Sequence, residues 1–97
     1  MGRLRAPVHP GEVLKEEFMV PLGLSANALA RALRVPANRI TAVVNGTRSV
    51  TADTALRLAR ALDTTPEFWL NLQKQYDLDL AREGSSDLSR IEPIRAA

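Results

Sequence analysis

Five side chains between Asn38 and Asn45 have the chemistry needed to read base edges in DNA. Asn38 offers the paired acceptor and donor that match adenine, and Arg39 offers the fork that matches guanine. Ala42 and the methyl of Thr41 suit contact with a thymine methyl, and Asn45 adds a second amide. At 100° per residue, Asn38, Ala42 and Asn45 share one side of a helix, flanked by Thr41 and Arg39. Ile40, Val43 and Val44 fall on the opposite side, with Ala37 beside them. An exposed helix face usually carries Glu and Lys; this one has neither. Around it stand residues suited to phosphate: Ser25 and Asn27 at a helix start, where backbone N–H groups favour an anion, and Thr47 and Arg48 in the loop that follows. The ordinary alternative is a solvated helical surface.

Charge supports the same region. Residues 21–64 hold six arginines against two aspartates, a net +4, whereas residues 65–97 are net −2. The overall charge is only +2, so the positive charge is concentrated centrally, and every central cation is arginine.

The elements that must hold these side chains are helices, separated by Pro, Gly and capping residues. The spacing predicts five. The first runs from about Pro10 to Met19, ended by Pro21 and Gly23. The second is capped by Ser25 and runs to Leu33, with Ala26, Leu29, Ala30 and Leu33 as its buried stripe. The third runs from Pro36 to about Asn45, with Gly46 as a left-handed stop. The fourth, capped by Thr51, runs to Leu62, and the fifth, capped by Thr65 with Pro66 behind it, runs to about Arg82. Helices two and three are joined by only two or three residues around Arg34-Val35, which forces a steep crossing: a helix-turn-helix. Arg34 stands where that turn often has Gly.

The 97 residues suit one all-α domain, expected over 1–84 with a loose tail over 85–97. No apolar run approaches the roughly 20 residues of a membrane span, and the N-terminus carries no signal-peptide pattern. The absence of Cys excludes disulfides, thiolate metal sites and cysteine nucleophiles, and fits a cytoplasmic setting. One histidine, His9, makes a His-based triad or a multi-histidine metal site a poor reading, so His9 is expected as an N-cap or packing residue. No catalytic, metal or cofactor site is expected. Phe68, Trp69, Leu72 and Tyr76 recur at helical spacing on the last helix and are expected at a homodimer interface, with closure of the monomer core by Trp69 as the alternative.

The stretch from Leu24 to Ala59 resembles the lambda-repressor-like helix-turn-helix domain. More narrowly, four motifs resemble the HigA-type antitoxins. They are His9-Pro10-Gly11-Glu12, Val43-Val44-Asn45-Gly46-Thr47-Arg48, the run from Thr51 to Ala59, and Thr65-Pro66-Glu67-Phe68-Trp69-Leu70. The resemblance covers roughly residues 9–80. It implies a homodimer that represses its own operon on double-stranded DNA and neutralises a HigB-type RNA-cleaving toxin. A stand-alone repressor without a toxin partner is the competing function; a neighbouring gene for a small basic toxin would separate the two.

Overall fold

The computed structural model describes residues 6–95; Met1–Arg5 and the last two residues of the expected tail, Ala96 and Ala97, lie outside the described residues. All regular structure among the described residues is helical, arranged as five rods and a final short turn.

The first rod is composite. A turn of α-helix, α1 (Pro10–Val13), widens into a π-helical stretch (Leu14–Met19) and ends as α2 (Val20–Leu22). Pro21 does not end it, contrary to the expectation. A proline inside a regular α-helix clashes with the carbonyl four residues back, and the wider π geometry before Pro21 relieves that clash. Val20 N–H accordingly reaches back five residues to Lys15 O. Gly23, at φ 64°, provides the stop.

The next rods follow the sequence signals closely. Ser25 Oγ accepts from Ala28 N–H and starts α3 (Ala26–Leu33). Pro36 precedes α4 (Ala37–Val44), Thr51 caps α5 (Ala52–Leu62), and Thr65 Oγ1 accepts from Phe68 N–H to start α6 (Pro66–Gly84). Four successive rods end on a left-handed residue: Gly23, Arg34, Gly46 and Asp63. After each, an N–H reaches back five residues, as Val35 N–H does to Ala30 O and Thr47 N–H to Ala42 O. Arg34 thus performs, at φ 60°, the turn for which Gly would be cheaper.

The core lies where the rods meet. Leu14, Leu29, Ile40, Val43, Leu58 and Trp69 are essentially without solvent contact. Each contributes about 1.5–3 kcal/mol by leaving water, Trp69 the most area. Trp69 therefore belongs to the monomer core. Its indole N–H donates to Thr64 Oγ1 at 2.8 Å, so burial strands no polar group. The expectation that Trp69 lies at a dimer interface is corrected by this packing: α6 supplies the lid that the short α3–α5 rods lack. Beyond Gly84 the described chain bends at residues 86–87, makes one 3-10 turn (Leu88–Arg90) and is exposed from Ser86 on.

Candidate nucleic-acid interface

Helices α3 and α4 pack against each other across the three-residue turn Arg34–Pro36. Ile40 and Val43 point into the core at 0% exposure, which sets the rotation of α4. With that phase, Asn38, Thr41 and Asn45 are exposed and Ala42 is half-buried. The Thr41 hydroxyl donates to Ala37 O at 3.1 Å, so the outward part of that side chain includes its methyl. The loop after α4 folds back on the same helix: Thr47 N–H and Thr47 Oγ1 both donate to Ala42 O, at 2.9 and 3.2 Å. This bond places Thr47 beside the polar face, with Arg48 and Ser49 exposed next to it. Ser25 and Asn27 are exposed at the far end of α3 from the turn.

Arg39 is not on the open face. It stands about 100° around the helix from Asn38, next to Val43, and its Nη1 donates to Asp53 Oδ2 at 2.6 Å. Its side chain is 23% exposed. The same carboxylate oxygen accepts from Arg57 Nε at 3.0 Å, and Arg57 Nη1 donates to Leu33 O at 2.8 Å. One carboxylate in the first turn of α5 therefore ties the start of α4 to the end of α3. Arg39, expected as a guanine reader, is committed to Asp53 in this geometry. Hydrogen bonds from Arg39, then from Arg57, hold the Asp53 carboxyl below its ordinary pKa.

The other end of α4 is held by residues from distant parts of the chain. Gly11 lies so close to the C-terminal turn that an added Cβ would sit 1.8 Å from Val43 O. His9 caps α1, its Nδ1 accepting from Gly11 N–H at 2.9 Å. The Arg48 backbone lies near the ring and favours its charged form, and the ring meets Tyr76 edge-on at 4.8 Å between centroids. Burial lowers the His9 pKa, against opposing pulls from Asp77 and the Arg48 backbone. Gln73 is 6% exposed; its Oε1 accepts from Val50 N–H at 2.7 Å and its Nε2 donates to Asp77 Oδ1 at 3.0 Å.

The sequence signals find the polar face, the loop and the His9 cap. They miss Asp53 and Arg57 as a clamp and Gln73 as a loop anchor. The spacing of Gln73 on the buried side of α6, four residues beyond Trp69, was the available signal. Tyr76 is half-buried against His9 rather than on an open stripe, so of the four expected dimer residues only Phe68 is exposed, and Leu72 is half-buried on the core.

A helix-turn-helix family model matches residues 14–69. The antitoxin HigA-1 of Vibrio cholerae is 49% identical over 91 residues, covering 93% of this chain and 86% of that protein. The structure of an addiction module antidote protein of a HigA family from Coxiella burnetii superposes with a TM-score of 0.84 at 51% identity, over 93% of this chain and 100% of that one. The Pseudomonas aeruginosa antitoxin HigA, solved with the higBA promoter, gives 0.84 at 43% identity over 92% and 99%. With its helix-turn-helix, its capped α6 and its exposed polar α4, the chain belongs to the HigA-type antitoxin family of lambda-repressor-like helix-turn-helix proteins.

Proposed function

We propose that the chain is the antitoxin of a two-gene module, acting in the cytoplasm as a dimeric repressor of its own operon and neutralising a HigB-type RNA-cleaving toxin. The observation that carries the DNA half is the α4 surface: Asn38, Thr41 and Asn45 stand exposed opposite a core face of Ile40 and Val43. In the major groove this face reads base edges, with Ala42 against a thymine methyl. Thr47 and Arg48 hold phosphate on one side of the groove, and Ser25 and Asn27 hold it at the start of α3. Arg39 stays on Asp53 and orients the helix.

One recognition helix touches few base pairs, so pairing two copies raises affinity by making the second contact intramolecular. A two-fold dimer requires a pseudo-palindromic operator with half-site centres about 34–36 Å apart or a multiple of that. Phe68 and Leu78, exposed apolar groups about 80° apart around α6, support that helix as the dimer face in place of Trp69. The toxin half rests on family membership. No helix among the described residues is long and apolar enough to cross a membrane.

The test is to co-express the tagged chain with its genomic neighbours. A small basic protein that co-purifies, and whose RNA cleavage stops in the complex, is the expected result. A chain that binds its own upstream DNA but retains no neighbour is a stand-alone repressor, and the antitoxin reading fails.

A further inference from the structure

His9 is the chain's single histidine, and it lies outside the DNA-facing residues. It nevertheless touches three parts of the molecule. Its Nδ1 accepts from Gly11 N–H, its ring lies near the Arg48 backbone, and the ring packs edge-on against Tyr76 of α6. Gly46, the left-handed stop of α4, lies beneath the ring, with its added-Cβ position 3.8 Å from His9 Cγ. The loop that carries Thr47 and Arg48 is thus fastened to α1 through one imidazole.

This arrangement requires one protonation state. Only an unprotonated Nδ1 can accept from Gly11 N–H, as it does here at 2.9 Å. An imidazolium donates at both, so protonation turns an N–H toward the Gly11 N–H and breaks the cap. We propose that neutral His9 is a positioning residue for DNA contact, holding the 46–49 loop in its DNA-binding arrangement, and that its protonation releases the loop and weakens operator binding. The inference rests on the repressor reading above and adds to it a switch within that same site.

The groups around His9 decide the sign. Asp77 on α6 favours the imidazolium, but its Oδ1 already accepts from Gln73 Nε2. Tyr76 presents an aromatic edge contact, the Arg48 backbone favours the charged form, and Glu12 in the first turn of α1 is exposed. Burial outweighs the favourable groups, so the folded chain holds His9 neutral through the lower part of the physiological range.

The experiment is a titration of a fluorescein-labelled duplex, carrying the region immediately upstream of the chain's own gene, at constant ionic strength. Wild type and His9→Asn are compared from about pH 7.5 to about pH 5, a range in which no other side-chain type has its ordinary pKa. Asn keeps a capping acceptor for Gly11 N–H but has no ring to pack on Tyr76 and Gly46 and does not titrate in this range. Wild-type affinity should fall about 3- to 10-fold as pH drops, the equivalent of one lost hydrogen bond. His9→Asn should be weaker by a similar factor at the upper pH and flat below it. The His9 imidazole, followed by NMR, should titrate at lower pH in the complex than in the free protein, because a ligand that prefers the neutral form must stabilise it. Flat wild-type binding, a His9→Asn profile that parallels wild type, or a His9 pKa that rises on DNA addition would overturn the inference. Failure to bind the duplex at any pH would instead remove the repressor reading, and this inference with it.

Discussion

The two ends of α4 are held in opposite ways. Its start is clamped by charge at the surface: Asp53, with its side chain 55% exposed, accepts from Arg39 and Arg57. Its end is clamped by neutral groups set back from solvent, Gln73 on Val50 N–H and the His9 ring packed between Gly46 and Tyr76. The charged clamp joins Asp53 to Arg39 14 positions away and, through Arg57, reaches Leu33 O 24 positions back, much as Gln73 reaches back 23. Exposed ion pairs are screened by water and salt and contribute little each. A buried N–H left without its acceptor carries the full cost of desolvation. Stability therefore concentrates at the loop end, next to the phosphate candidates, while the other end sets direction cheaply and reversibly.

Three substitutions break this comparison in order of size. Gly11→Ala should be the most damaging, because its Cβ would overlap backbone at Val43 and Val44 that no rotamer change can move. Forcing α1 away from α4 should cost about 3 kcal/mol or more, read by denaturant unfolding. Wild-type stability in Gly11→Ala would mean that α1 does not rest on the loop end. Gln73→Ala comes next: it leaves Val50 N–H buried without a partner and should cost about 1–3 kcal/mol in the same assay. Asp53→Asn should change the melt least at neutral pH, and its effect should shrink further in high salt.

Acidification sharpens the contrast, since the two clamps fail at different pH. The Asp53 pKa is lowered from 3.8 by Arg39 and then Arg57, so its contribution is present above that value and lost only as pH falls through the lowered one. His9 is also lowered, from 6.5, but it is a base held neutral. Its contribution is complete above 6.5 and declines as pH falls from there toward the folded value. An acid series of melts should show a first loss of stability that His9→Asn removes and a second, near pH 4 and below, that Asp53→Asn reduces. A single acid transition unaffected by either variant would contradict both assignments.

Much of this was legible from the chain alone, and the division follows sequence distance. Ser25, Thr51 and Thr65 cap the helices they precede, and Gly46 stops α4, because capping is settled within a few residues. The rotation of α4 was legible because Ile40 and Val43 recur at helical spacing. The pairing of Arg39 with Asp53 is not legible in the sequence, because it is set by how α5 packs, which periodicity within α4 does not encode. Helical spacing on α6 cannot tell a face covered by the monomer from one covered by a second copy, so the sequence alone leaves Trp69 open between interface and core. Pro21 read as a stop because a π-helical detour leaves no simple residue pattern. The deep position of Gln73 is likewise a tertiary fact, fixed by a loop far from it in sequence.

If the exposed face led by Asn38 reads bases while Arg39 stands back on Asp53, single-base variants of the operator must tell the two residues apart. The direct measurement is a binding titration of Asn38→Ala and Arg39→Ala against single-base variants of the upstream duplex. Asn38→Ala should lose about 1–3 kcal/mol of discrimination at one base pair and keep its preferences elsewhere. Arg39→Ala should retain the wild-type order of preference across all variants. An Asn38→Ala protein with unchanged preferences, alongside an Arg39→Ala protein that no longer distinguishes guanine at one position, would make Arg39 the base reader instead.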